Sequence, residues 1–238
     1  MLIPSIDLMD GKIVQLVQGE RKALEFDDFE EWITRFSSQP LVQLIDLNAA
    51  LSTGNNRALV QEFAKRLPCQ VGGGIRTIPA AKEMLDTGAL RVILGSALIR
   101  DGRPDPAFAK EIAGAVGPDK LVFAIDSRQD RVAIGGWREL TTITPLEMIS
   151  ALERFCGAFL YTHIDTEGLM QGIPLETVGR LRNSTTKQLI VAGGIATSEQ
   201  VDRLDAMKID AVVGMAIYTG KMKLSNSSPA LRPHPSGT

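Results

Sequence analysis

Aromatic residues make up only 5% of the 238-residue chain, so its core must be mainly aliphatic. Cysteine is nearly absent: Cys69 and Cys156 lie far apart and form no Cys-x-x-Cys pair. Only His163 and His234 are available to join them as ligands, which argues against a structural zinc site. Charge excess is lacking too, with 26 Lys and Arg against 28 Asp and Glu. That balance offers no electrostatic footing for nucleic acid or a membrane surface. No apolar run is long enough to span a bilayer, and Met1-Leu2-Ile3-Pro4 carries no basic leader before Asp7. The expectation is a soluble cytoplasmic monomer that holds any anionic ligand by local geometry.

What is present is alternation. Apolar runs at 2–8, 41–47, 69–71, 91–94, 121–126, 158–164, 189–192 and 211–213 suit strands buried on both faces of a parallel sheet. Between them, stretches of helical length fall at 28–36, 57–67, 79–87, 106–116, 145–155, 175–181 and 198–207. Pro79, Pro106 and Pro145 suit first turns, and Ser198 is the expected N-cap of the last of these helices. The segment after Gly214 has room for two or three helical turns at most. Ser225 onward, rich in Ser and Pro, reads as a disordered tail over 225–238.

An internal repeat selects the architecture. Ile6-Asp7 matches Ile125-Asp126 and Gly95 matches Gly214, each 119 residues on, and Gly73-Gly74-Ile75 matches Gly193-Gly194-Ile195 at 120. Two matched halves of four β/α units close naturally into a (β/α)8 TIM barrel, expected as one domain over 1–224.

The repeated residues suggest chemistry. Each Gly-Gly-Ile follows a strand and precedes a helix, where free N–H groups gather an anion. With Gly95-Ser96 and Gly214-Met215 ending the next strands, two phosphate cradles are expected, and hence a substrate with a phosphate at each end. Such glycines also serve merely to shape turns, a reading that one pair would leave at even odds and two matched pairs make the weaker one. Asp7 and Asp126 end opposite strands and would face one another at the barrel mouth, suited to paired acid and base work. A lone strand-end aspartate as readily caps a turn. Thr162 lies where it would bond a substrate hydroxyl or orient an acid. Gly19, Asp46, His163 and Glu167 form a second tier, with His163 favoured as wall filling and Asp46 as a structural acid. Arg76 either neutralises a ligand oxygen or lies on the surface. Trp137, in a long hairpin after Asp126, either stacks on a planar base or pins the loop. The polar stretch Gln18-Gly19-Glu20-Arg21-Lys22 is expected to be a mobile lid.

As a set, Ile3-Pro4-Ser5-Ile6-Asp7-Leu8 with Gly11-Lys12, Gln70-Val71-Gly72-Gly73-Gly74-Ile75-Arg76, Gly135-Gly136-Trp137, Ala192-Gly193-Gly194-Ile195 and the closing Gly214-Met215-Ala216-Ile217-Tyr218-Thr219-Gly220 resemble one family. It is that of the phosphoribosylformimino-aminoimidazole-carboxamide ribotide isomerases of histidine biosynthesis. The resemblance implies a barrel without cofactor or metal that performs an Amadori rearrangement of an aminoaldose to an aminoketose. It further implies Asp7 as proton acceptor, Asp126 as proton donor and Thr162 as assistant. The phosphates would lie at Gly74, Gly95 and Ser96 on one side and at Gly194 and Gly214 on the other.

Three positions depart from the family's pattern: Gln15 stands for an arginine, His163 for a common Asp, and Glu167 for an Asp before glycine. The related cyclase carries a lysine near position 15 and needs a glutaminase partner, so Gln15 argues against it. Phosphoribosylanthranilate isomerase activity, alone or as a second activity, would need an arginine after strand five, and Arg131 and Arg138 leave that open. A non-catalytic phosphosugar binder would be hindered by two carboxylates beside the anion.

Overall fold

Apolar runs covered on both faces become the staves of a barrel. The computed structural model describes residues 1–224, and the expected tail over 225–238 lies outside the described residues. Eight strands pair in parallel in chain order: β1 (Leu2–Met9), β2 (Val42–Asp46), β3 (Cys69–Gly72), β4 (Arg91–Leu94), β5 (Leu121–Arg128), β6 (Ala158–His163), β7 (Gln188–Ala192) and β8 (Ile209–Val213). β4 pairs with β5 and β8 returns to β1, which closes the sheet. The expected (β/α)8 barrel is therefore the fold.

Helices Phe29–Phe36, Arg57–Arg66, Ile78–Asp86, Pro106–Val116, Pro145–Leu152, Leu175–Asn183 and Ser198–Ala206 fill the gaps, and Met215–Tyr218 is a single turn after β8. The cap of the helix over Ser198–Ala206 is one residue earlier than expected. Thr197, in extended backbone, accepts from the Gln200 N–H, as Thr77 does from Ala80 in the first half. The repeat is thus Gly-Gly-Ile-x-Thr, and its backbone recurs: φ is +106° and +68° at Gly73 and Gly74, and +114° and +77° at Gly193 and Gly194.

Two elements were not anticipated. The chain after β1 forms a hairpin, Lys12–Val17 with Arg21–Phe26, and the first arm pairs back on β1. The expected lid at 18–22 is the tip and start of the second arm of this hairpin. Asp10 and Gly11, both at positive φ, make the tight turn. A short helix, Leu47–Leu51, follows β2. The hairpin predicted after Asp126 is present, with Arg131–Ile134 pairing to both the end of β5 and Glu139–Leu140.

Core residues fall inside the barrel (Ile3, Leu41, Ile93, Val122, Leu160, Ile190, Val212) and between strands and helices. At the N-terminal ends of the strands the interior turns polar. Buried Arg91 donates to Gln188 Oε1 at 2.6 Å and Gln70 Oε1 at 2.7 Å, Gln70 donates to Gln43, and Gln188 to Asp210. Every acceptor in this layer depends on its neighbour's donor. Arg91→Met is expected to cost about 2–4 kcal/mol in urea unfolding, because two buried amide oxygens lose their partners. An unchanged midpoint would mean water replaces the guanidinium.

Candidate active site

Alternation along β1 places Ser5 and Asp7 on the barrel's inner face, and the same pattern places Asp126 on β5. Register makes them equivalent, since Asp7 lies beside Ile45 and Asp126 beside Thr162. Both line one cavity at the C-terminal mouth, with Thr162, Glu167, Trp137, Gly19 and Arg76. The remaining cavity walls include Gly73, Gly74, Gly95 and Ser96 on one side and Gly193, Gly194, Gly214 and Met215 on the other.

The register difference sets the electrostatics. Asp7 has apolar Ile45 as its neighbour, and burial alone lifts its carboxyl from 3.8 to about 7. Asp126 is also raised by burial, but hydrogen bonds from Thr162 and the Trp137 indole oppose the shift by favouring its ionised form. Glu167 is pushed from 4.5 to about 8, chiefly by burial and then by the negative charges of Asp7 and Asp126, partly offset by the Gly168 N–H. Three carboxyl groups therefore share one space, and burial with two neighbouring carboxylates favours the protonated form of Glu167.

The cradles are sealed by backbone. A Cβ on Gly73 would sit 2.2 Å from the Asp46 carbonyl oxygen, and one on Gly193 would sit 2.4 Å from that of His163. The glycines let the strand ends lie against these carbonyls and turn their N–H groups to the mouth. Asp46 itself caps the helix Leu47–Leu51 and accepts from both the N–H and the side chain of Asn56. His163 places Nδ1 2.9 Å from Thr166 Oγ1. Neither is among the residues lining the cavity. Arg76 lines it while donating to the Ala49 and Ala50 carbonyls and to Ser52, so it steadies the rim helix over the first cradle. Buried Gln15 abuts the second cradle, where a Cβ on Gly214 would meet its Oε1 at 2.5 Å. An amide thus stands where the resembled family has a cation.

Trp137 does two things at once. Its ring lies against Gly19 of the first hairpin, and its indole opposes the upward shift that burial imposes on the Asp126 carboxyl. Ser96 accepts from the Gly135 N–H at 3.0 Å, tying this loop to the first cradle. Sequence reasoning missed Ser5, Leu51 and Met170 in the cavity wall. Ser5 was accessible by stepping back two residues from Asp7, whereas Leu51 ends the unanticipated short helix after β2 and Met170 lies on the loop after β6.

The family model described as histidine biosynthesis protein matches residues 1–223. The chain belongs to that family. A relative from Methanocaldococcus jannaschii is 36% identical over 95% of this chain and 97% of its own length. One from Thermus thermophilus is 37% identical over 95% and 98%, and one from Methanothermococcus thermolithotrophicus 33% over 98% and 100%. Each of these relatives is named 1-(5-phosphoribosyl)-5-((5-phosphoribosylamino)methylideneamino)imidazole-4-carboxamide isomerase. Among the described residues no helix is long and apolar enough to cross a membrane, and no group of three or more His, Cys, Asp or Glu is placed to hold a metal ion.

Proposed function

We propose that this chain is the isomerase of histidine biosynthesis that its relatives are named for. It opens the phosphoribosylamino ring of a ribonucleotide with two phosphoribosyl groups and converts the aminoaldose to an aminoketose. The observation that carries the reading is the pair of matched glycine cradles astride one carboxyl-lined cavity. A substrate with a phosphate at each end spans the two cradles and brings its reacting sugar between the acids.

Asp126, as proton donor, gives its proton to the ribose ring oxygen, the ring opens and a protonated Schiff base forms. Asp7, ionised, removes the C2′ proton, and the resulting enolamine relaxes to the ketose. Carbon C1′ is reduced as C2′ is oxidised, so the rearrangement is an internal redox exchange carried by proton transfers. Burial already favours the protonated form of Asp126, and two incoming phosphates favour it further. Thr162 holds the Asp126 carboxyl in place. Gly73, Gly74, Arg76, Gly95 and Ser96 serve one phosphate, and Gly193, Gly194, Gly214 and Met215 the other. Neutral Glu167 spares the cavity a third negative charge beside a ligand that already carries two phosphates. The protein works as a cytoplasmic monomer, which sedimentation of the purified chain would test.

The test is a direct assay of conversion of the two-phosphate ribonucleotide, with phosphoribosylanthranilate as comparison. Turnover of the former and not the latter is expected. No turnover of the two-phosphate substrate would overturn the proposal. In the same assay kcat/KM should follow a narrow bell. It rises with pH through about 7 as Asp7 ionises to become the acceptor, and falls through about 8 as Glu167 gains charge and repels phosphate. Glu167→Gln is expected to remove the alkaline limb. A limb that persists unchanged in that variant would assign it to another group.

A further inference from the structure

The second cradle is held from behind by the loop after β6. The Thr166 hydroxyl donates to the Gly193 carbonyl at 3.1 Å, and the Gly172 N–H donates to the Gly194 carbonyl at 2.8 Å. In a trans peptide the C=O and the N–H that follows it point in opposite directions. Fixing the Gly193 carbonyl therefore turns the Gly194 N–H away from the β6 loop, and fixing that of Gly194 does the same for Ile195. Gly193, Gly194 and Ile195 all wall the cavity. The Thr166 oxygen has a second neighbour, His163 Nδ1, at 2.9 Å. A hydroxyl carries one proton, so both contacts are hydrogen bonds only if the His163 ring donates from Nδ1 and the hydroxyl passes its own proton to the carbonyl. In the first half the matching place belongs to Ala49. Its carbonyl oxygen would meet a Cβ on Gly74 at 2.7 Å, as that of Thr166 would meet one on Gly194 at 2.5 Å. Alanine has no hydroxyl, and the rim there is tied by Arg76, which donates to the Ala49 and Ala50 carbonyls. The second half has Ala196 in the place of Arg76.

Resting on the isomerase reading, we infer that Thr166 is a positioning residue for the second phosphate: its hydroxyl, held by the His163 ring, pins the Gly193 carbonyl and so aims the Gly194 N–H into the cavity at the anion. Thr166 stands outside the residues that wall the cavity and acts on the ligand only through this backbone. An N–H aimed in advance does not have to be turned when the ligand arrives, so less order is lost on binding. The two cradles thus reach the same backbone by different means. A cation steadies the first, and a chain of hydrogen bonds from the β6 loop steadies the second.

Two variants test the role: Thr166→Val, which keeps the shape and deletes the hydroxyl, and Thr166→Ser, which keeps the hydroxyl. The readouts are kcat and KM for the two-phosphate substrate, and the ¹H–¹⁵N signals of Gly194 and Gly74 during titration with inorganic phosphate. Weakening one charge-assisted hydrogen bond is worth about tenfold in affinity. Thr166→Val is expected to raise KM about tenfold with kcat within about twofold of wild type, because a phosphate contact away from the reacting sugar is alike in ground and transition states. Thr166→Ser should return KM to within about threefold of wild type. Phosphate should shift the Gly194 signal of wild type, the midpoint of that shift should need about tenfold more phosphate in Thr166→Val, and Gly74 should respond alike in every variant. A merely structural role would reduce the folded fraction and with it kcat, leaving KM and the Gly194 midpoint in place. That result, or a serine variant no better than valine, would overturn the inference. Thr166→Ala copies the residue of the first half and replaces Thr166→Val should valine fail to fold. A wild type without turnover sinks the isomerase reading, while the phosphate titration still decides this inference. An active wild type whose Gly194 midpoint is unmoved in Thr166→Val sinks this inference alone.

Discussion

Asp7→Asn is expected to lose at least about 100-fold in turnover while gaining stability. The loss follows from general base catalysis, which contributes about 10²–10⁴-fold and which an amide cannot supply. The gain follows from burial. The Asp7 carboxyl is neutral in the fold up to about pH 7 but ionises near 3.8 when exposed. Below that lower value both states are protonated and burial costs nothing. As pH rises from there to about 7, the unfolded chain alone releases its proton, and the fold loses stability with each pH unit. Above about 7 the cost is constant, at most about 4 kcal/mol at 1.4 kcal/mol per pH unit. Asparagine has no such penalty. Its advantage over wild type should vanish in acid and be greatest in mild alkali, as thermal unfolding at several pH values would show. Asp126→Asn should be as inactive yet gain less, since Thr162 and Trp137 already compensate that carboxylate. Near-normal turnover in either variant would falsify the assignment of the pair.

The second large effect concerns the cradles. Gly73→Ala and Gly193→Ala each drive a methyl group into a carbonyl oxygen of the preceding strand end, at 2.2 and 2.4 Å, from a backbone at φ +106° and +114°. Neither neighbour is a flexible side chain, so the loop must move. Each substitution is expected to cost about 2–4 kcal/mol in chemical denaturation. Each should also raise KM for the two-phosphate substrate by about 100-fold, since charge-assisted N–H contacts to one phosphate are lost. Gly102→Ala is the control. Gly102 also has positive φ, at +70°, but open space lies where its Cβ would go. It should cost about 1 kcal/mol or less and leave KM alone. A KM change confined to one of the two cradle variants would mean that only one end of the substrate is held as a phosphate.

Much of this was legible in the residue order. The duplicated Ile-Asp, Gly-Gly-Ile and strand-ending glycines pointed to two half-barrels, and the cavity is walled by those residues. The thin spots have physical causes. The first hairpin was read as a lid because its strands are short and half polar, although Asp10-Gly11 between apolar runs is a hairpin turn signal. The cap at Thr197 was taken for Ser198 because both are good caps and only the backbone angles distinguish them. Asp46, favoured from sequence as a structural acid, bonds Asn56, and His163, favoured as wall filling, lies beside Thr166; both stand outside the cavity lining.

Sequence alone determined the alternation of strand and helix, the duplication and the two opposed aspartates, because each is written in residue type and spacing along the chain. Tertiary structure alone decided that Glu167 joins those aspartates, that Trp137 packs on Gly19, and that burial acts unopposed on Asp7 but is opposed by Thr162 and Trp137 at Asp126. Charge interaction and desolvation act through space, and the residues that exert them here are spread over loops and strands from position 7 to position 167.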